Sequence, residues 1–305
     1  MRLILSGAAA ALLAAFAHAQ ISVISVERLP LEYAQEWCNP QFAPDGGSVY
    51  EAGSSFDGIW CYNLKDGQLT QVTAEPKSGY GYSFSSDGRQ IGYRVTEIDP
   101  LNHRPTYTAV VRSLASGAGT ILARGADVSA PAFAGGQPVA LQSTKLRVND
   151  RLSSTHPPVL MGIENTKIAL VRNGARILLD PFKNGSYIWP SLSPDGKSLV
   201  AYEMSRGTFI CDLSGKVLIR LGRRDAPSWT RDGKWIVYMD DRDDGHRLLS
   251  SDICMVSIDG KQTVRLTDTK DVMEMHPRCS PTEDRIVYDT PEGEIYLLTY
   301  QEAGE

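Results

Sequence analysis

Four histidines follow residue 20, His103, His156, His246 and His276. Imidazole serves as a metal ligand and as a general base near neutral pH, so these are the first residues to ask for chemistry. None stands in an HExxH pattern or as a close pair. Three fall in segments that read as long loops and His276 precedes a recurrent proline, so all four could face one rim as a scattered metal site. Asp240-Asp241-Arg242-Asp243-Asp244-Gly245 has the acidity of a calcium loop. Arg242 takes the third ligand position, however, and Ser251 stands where a bidentate Glu is required, so the segment reads as a solvated loop between strands. There is no GxSxG elbow, P-loop or GxGxxG, which leaves serine hydrolysis and phosphate binding without support. Asn184-Gly185-Ser186 is a formal glycosylation sequon that a plain turn explains equally well. No catalytic residue, metal ligand or cofactor is assigned on this evidence.

Recognition is a better use of the residue types present. Aromatic and arginine side chains dominate protein interfaces. Trp37, Tyr80, Tyr187, Trp189, Arg223, Arg224, Glu274 and His276 all lie within a few residues of the start of a repeated segment. Of these, Trp37, Tyr80, Tyr187, Trp189, Arg224, Glu274 and His276 form the expected partner-binding set. Trp37 and Trp189 could equally pack between elements. Trp229 and Trp235 sit inside strand patterns and read as core.

Six segments place those residues: NPQFAPDGGSVYEA from Asn39, GYSFSSDGRQIGYR from Gly81, APAFAGGQPVALQ from Ala130, WPSLSPDGKSLVAYE from Trp189, APSWTRDGKWIVYM from Ala226 and HPRCSPTEDRIVYD from His276. The anchors fall at 40, 82, 131, 190, 227 and 277, so the intervals are 42, 49, 59, 37 and 50 residues. Each unit reads as short antiparallel strands joined by an Asp-Gly turn, which suits residues able to take a positive φ. A lone four-stranded sheet cannot bury both faces, and radial stacking of such sheets gives a propeller. No long window shows a helical period. The expected fold is all-β, a six-bladed β-propeller of four-stranded antiparallel blades over residues 20–305. SVERLPLEYAQEWCNP matches TVRLTDTKDVMEMHP, so Ile21–Leu29 is expected to supply the outer strand of the last blade and close the ring.

Residues 1–19 carry Arg2, an apolar run from Leu3 to Ala17 and an Ala17-His18-Ala19 ending, the three parts of a secretory signal peptide. About 15 apolar residues fall short of the roughly 20 that span a bilayer. The chain after cleavage has 30 basic and 36 acidic residues, and no basic block, which excludes nucleic acid as a partner. Five cysteines, 38, 61, 211, 254 and 279, leave at least one unpaired. Adjacent first and last blades make Cys38–Cys279 the favoured bridge, and buried strand cysteines are the general expectation.

The strings SPDGKSLVAYE and TRDGKWIVYMDDRDDG…SSDICMVSIDGKQTVRLTD resemble the repeat of TolB-type six-bladed propellers. The resemblance covers the chain after the leader and weakens at the third unit, where Gly135-Gly136 replaces Asp-Gly. Full TolB proteins carry an N-terminal α/β domain that is not seen here. The resemblance implies a periplasmic or secreted, non-enzymatic monomer that binds a protein or cell-envelope component at its channel mouth. A carbohydrate is a further candidate ligand. The competing readings are a polysaccharide lyase or hydrolase with its site at the same mouth, and a structural or regulatory repeat protein using its plain Asp-Gly face. The functional face is expected where Thr96–Pro105, Lys145–Glu164 and Asp241–Ser251 form long loops.

Overall fold

The computed structural model describes residues 20–31, 36–148 and 157–303. The leader, residues 1–19, and His156 lie outside them. Among the described residues no helix is long and apolar enough to cross a membrane.

Seven small sheets form a ring. The outermost strand of the last blade is β1 (Gln20–Arg28). Blade 1 follows with β2 (Trp37–Phe42), β3 (Ser48–Gly53), β4 (Ile59–Asn63) and β5 (Leu69–Thr73). Blade 2 holds β6 (Tyr82–Phe84), β7 (Gln90–Ile98), β8 (Pro105–Ser113) and β9 (Gly119–Gly125). Blade 3 has β10 (Ala132–Ala134), β11 (Gln137–Gln142) and β12 (Lys145–Val148). Blade 4 has β13 (Val159–Glu164), β14 (Lys167–Arg172) and β15 (Ala175–Leu179). Blade 5 comprises β16 (Tyr187–Leu192), β17 (Ser198–Glu203), β18 (Gly207–Asp212) and β19 (Val217–Gly222). Blade 6 comprises β20 (Asp225–Trp229), β21 (Trp235–Asp243), β22 (Leu248–Ser257) and β23 (Thr263–Arg265). Blade 7 contains β24 (Met275–Cys279), β25 (Arg285–Asp289) and β26 (Ile295–Ala303), and its outer position is taken by β1.

The expected count of six blades is therefore corrected to seven. The 59 residues from Pro131 to Pro190 hold two three-stranded blades, not one four-stranded unit with a long loop. Blade 4 escaped notice because its inner strand runs the other way. The β13–β14 turn meets the start of β16, where Thr166 O accepts from Tyr187 N at 3.0 Å. At the opposite end of the blade, Arg172 Nη1 reaches Leu213 O at 3.1 Å. An anchor proline marks an inner strand that enters from the mouth face, and β13 enters from the far face. A three-stranded meander delivers the chain to the wrong end of the ring, and a second one restores direction for β16.

Ring closure follows the expected scheme. β1 pairs antiparallel with β26, from Ile21 opposite Glu302 to Arg28 opposite Tyr296. The Asp-Gly turns have one construction: Gly46, Gly88, Gly196 and Gly233 take φ of +66 to +71°, where a side chain is disfavoured. The preceding Asp of each accepts the backbone N–H two residues on, as Asp195 Oδ1 does from Lys197 N at 3.1 Å.

The core lies between blades. Trp235, Ile253, Met255, Tyr288 and Tyr300 pack blade 6 against blade 7, and Phe42, Val49, Tyr62, Val287 and Ile295 pack blade 7 against blade 1. All five cysteines are free thiols. The expected Cys38–Cys279 bridge does not form because the two face opposite sides of blade 7. Cys279 packs toward blade 6, while Cys38 lines a cleft with His276 and Asp289.

Candidate functional site

The mouth face is shaped by a bulge repeated in the inner strands. Pairing shifts register between Cys38 and Gln41, Ile188 and Ser191, Asp225 and Ser228, and Met275 and Arg278. In each, the residue before the anchor proline is left-handed: Asn39 at φ +54°, Trp189 at +50°, Ala226 at +48° and His276 at +49°. A non-glycine residue is rare in that region, and proline further restricts the residue before it. Each instance costs on the order of 1–3 kcal/mol and must be held by its surroundings.

Blades 7, 1 and 2 show what holds it. Asp289, 4% exposed at the end of β25, accepts Asn39 N at 2.9 Å through Oδ2 and pairs with His276 Nδ1 at 2.9 Å through Oδ1. Asn39 Nδ2 donates to Gly79 O at 2.9 Å, and Tyr82 OH donates to Asn39 O at 2.8 Å. The carboxylate oxygen accepts, so Nδ1 is the donor of this pair and Asp289 orients the imidazole, the arrangement of a carboxylate–histidine pair. The adjoining cleft, about 220 Å³, is lined by Glu36, Cys38, Ser54, Ser55, His276 and Thr290. Burial, followed by the negative charge of Asp289, pushes the Cys38 thiol up to about 11, so it stays protonated and is a poor nucleophile.

Beside this cleft Ser55 and Phe56 are left-handed at φ +57° and +64°, and Lys77 Nζ holds the turn through Ser55 O at 2.9 Å. Phe56 meets Tyr80 edge-on with centroids 5.3 Å apart, and Tyr80 is 64% exposed. Tyr80 also borders a second groove, about 370 Å³, that runs over blades 2, 3 and 4 past Arg94, Ser129, Met161 and Glu164. Arg94 is held there by Val128 O at 3.2 Å and by the face of Tyr107, 4.4 Å from the ring centroid.

Across the mouth, at blades 5 and 6, one cation faces three carboxylates. Arg223 contacts Asp225 at 3.4 Å, Asp241 at 3.1 Å and Asp243 at 3.0 Å. Oδ1 of Asp225 and Oδ1 of Asp241 are both buried with no other hydrogen-bond partner, and the two side chains adjoin. A proton on Asp225 would satisfy both oxygens. Burial, then the hydrogen bond and charge of Asp241, push the Asp225 carboxyl up to about 6.

The seven residues expected at the interface divide sharply. Tyr80 is the most exposed, and Trp189 and His276 are partly exposed, with Trp189 edge-on to Tyr202 at 5.7 Å. Arg224 is half-buried, its guanidinium 4.7 Å from the centroid of Tyr238 and its Nε buried without a partner. Trp37 is 5% exposed and packs edge-on to Trp60 at 5.2 Å. Tyr187 is 1% exposed, its hydroxyl donating to Asp180 at 2.8 Å. Glu274, 1% exposed, accepts from Thr267 at 2.8 Å and Thr269 at 2.9 Å. Those last three present no surface to a partner.

Sequence reasoning missed Asn39, Phe56 and Asp289. A signal for Asp289 was present: an acid follows the recurring tyrosine in Glu51, Glu203 and Asp289, and all three are buried. Strand extends into all three expected long loops: Thr96–Pro105 and Asp241–Ser251 are the ends of the β7–β8 and β21–β22 ribbons, and Lys145–Glu164 contains β12 and β13. Asp243 and Asp244 cap their turn through Gly245 N, His246 N and Arg247 N. Among the described residues no three His, Cys, Asp or Glu side chains converge as a metal-ligand group.

Comparison with known proteins agrees on fold and little else. No family model matches the chain. An uncharacterized protein of Agrobacterium fabrum is 29% identical over 121 residues, covering 37% of this chain and 39% of that protein. TolB from Acinetobacter baumannii superposes with a TM-score of 0.56 at 18% identity, over 80% of this chain and 57% of its own. Oligogalacturonate lyase from Vibrio parahaemolyticus gives a TM-score of 0.51 at 15% identity, over 92% and 96% of the two chains. The Cps50 (Swd1) β-propeller domain of Myceliophteria thermophila gives 0.60 at 10% identity, over 92% and 99%. The chain thus spans just over half of the TolB structure and about two fifths of the Agrobacterium protein. At these identities the likeness is one of fold, shared by TolB and a lyase alike.

Proposed function

We propose that this chain is an exported, non-enzymatic propeller, periplasmic or secreted, that binds a protein or cell-envelope component at its mouth face. The observation that carries this reading is the exposed Tyr80 ring, buttressed by Phe56 and set on the rim of the groove over blades 2 to 4. An aromatic ring held rigid at a concave, mixed-polarity rim costs little entropy on binding. Trp189 and Arg224 extend the same face. The likeness to TolB supports the reading at the level of fold. The test is crosslinking capture in the native cell envelope with the chain from Gln20, beside a Tyr80→Ala/Trp189→Ala variant. A defined component retained by the parent and lost by the folded variant supports the reading. Equal capture by both removes it.

A second reading, hydrolysis or lysis of a polysaccharide, is favoured by one observation, the Asp289–His276 pair beside a small cleft. Turnover of any member of a polysaccharide panel that disappears in His276→Ala would establish it in place of the first.

A further inference from the structure

A cavity of about 470 Å³ lies on the opposite face, between the Asp-Gly turns of blades 5 and 6. Its walls are apolar: Ile210 and Ile219 from blade 5, Trp229 from blade 6, with Leu218 and Ile258 at the lip, 54% and 43% exposed. Trp229 is fixed by its Nε1–H to Ser191 O at 3.1 Å, so it forms a rigid wall.

The repeat explains why the cavity is open. Ser198 stands eight residues after its anchor proline, and the equivalent residue of blade 6 is Trp235. Ile258 N donates to Lys234 O at 3.1 Å, and its blade 7 equivalent, Tyr300 N, donates to Asp284 O at 3.0 Å. Between blades 6 and 7 the rings of Trp235 and Tyr300 fill the space and are 4% and 6% exposed. Between blades 5 and 6 the same two positions are Ser198 and Ile258, and the space that two aromatic rings occupy next door is left open. The corresponding recess between blades 2 and 3 sets Gln90, Ser113, Thr120 and Gln137 beside Val111, Ala118 and Pro138, so the large apolar wall of Trp229 and the isoleucines belongs to the blade 5–6 recess and is not a property of the repeat.

The charged groups in the lining are both acidic, Asp195 and Asp232. In each, Oδ1 is committed to its own turn, with Ser193 OH at 2.6 Å and Thr230 OH at 2.7 Å. The Oδ2 atoms meet Lys197 and Lys234 only at 3.6 and 3.9 Å, and those lysine side chains are 82% and 55% exposed. Pairs so long and solvated contribute little, which leaves both carboxylates able to take a better-placed cation at the lip.

We propose that this recess is a binding site for a cationic aromatic group of the aryl-alkylamine class, the ring between Trp229 and Ile210 and the ammonium at Asp195 and Asp232. This goes beyond the mouth-face reading and does not depend on it. Calorimetric titration with tryptamine and with indole-3-propionate, the same ring with opposite charge, tests it. The parent protein binds tryptamine at least 10-fold more tightly than indole-3-propionate. Ser198→Trp, which copies blade 6, abolishes tryptamine binding, and Leu218→Arg, an exposed change that keeps the fold, weakens it at least 10-fold. Asp195→Asn/Asp232→Asn brings the two probes within threefold of each other. No binding of tryptamine, equal binding of both probes by the parent, or undiminished tryptamine affinity in Leu218→Arg overturns the proposal.

Discussion

Blades 5, 6 and 7 are built from one plan, and blades 3 and 4 from another. In the first arc each inner strand carries an anchor proline behind a left-handed residue and aromatic walls, and in blades 5 and 6 an Asp-Gly turn follows it. In the second, β10 is three residues long, β13 runs backwards, and the inner-strand irregularity falls at Gly162, φ +94°, not at a bulky residue before proline. The regular arc locates strain and buries large rings to hold it. The irregular arc uses glycine, small residues and a change of strand direction, and the groove beside Tyr80 opens above it. Regularity here marks where stability resides, and irregularity marks where surface is available for recognition.

That contrast can be broken most forcefully at Tyr187. It is buried, packs on Phe209 with centroids 5.8 Å apart and donates to Asp180, so Tyr187→Ala costs roughly 3–5 kcal/mol. Tyr80→Ala costs less than about 0.5 kcal/mol, as an exposed position should. Urea unfolding of the two variants measures both, and equal losses would dissolve the distinction between the ring that stabilises the regular arc and the ring offered for recognition.

The next effect is a pH dependence of opposite sign at two carboxyls, Asp225 in the regular arc and Asp180 where blade 4 leads into it. Asp225 has a folded pKa raised to about 6, above the unfolded value near 4. The folded state therefore holds that proton more tightly. The stability it contributes is complete below pH ~4 and is lost as pH rises through 6, on the order of 1–2 kcal/mol. Asp241→Asn should flatten that limb between pH 4 and 7. Asp180 behaves inversely. Burial raises it, but hydrogen bonds from Lys167, Tyr187 and the Asn184 and Gly185 amides outweigh that and hold it down to about 2. Its contribution is present above pH ~4 and lost as pH falls through 2. Thermal unfolding of Asp180→Asn and Asp241→Asn against the parent across pH 2–8 separates the two, and parallel curves would remove both assignments.

The smallest effect sharpens the comparison at one backbone position. Gly162→Ala places a Cβ at a positive φ and costs about 1–2 kcal/mol even though open space surrounds it. Ala226→Gly relaxes a left-handed residue at φ +48° but uncovers a buried methyl, so it changes stability by less than about 0.5 kcal/mol. Chemical denaturation midpoints check both.

How much of this was legible in the residues follows from the same contrast. Anchor prolines, Asp-Gly turns and the match of SVERLPLEYAQEWCNP to TVRLTDTKDVMEMHP made the propeller and its closure readable, because each is a local steric requirement. Blade 4 was not readable, because a reversed inner strand needs no anchor. Yet 59 residues for six strands matches the length per strand elsewhere. Trp37, Tyr187 and Glu274 were misplaced at the surface for a different reason. A bulge inserts a residue just before the anchor, so the alternation that assigns inward and outward side chains fails where the candidate residues lie. His276 and Asp289 pair on adjacent strands of blade 7, but Asn39 joins them only across the seam between blades 7 and 1, a proximity with no trace in sequence spacing.

The seam has one more consequence, and it concerns time. β1 is the first described segment of the chain and its partner β26 nearly the last, so the pair that completes blade 7 joins residues about as far apart in sequence as this fold permits. Loop-closure entropy grows only slowly with length, and so the contact is affordable at equilibrium. Contacts of that separation nonetheless form late. Until they do, the ring is a C-shaped stack with β1 unpaired and the Asn39–Asp289 link unmade. The cleft at that seam therefore exists only in the finished ring, and its integrity reports that the whole circle has closed.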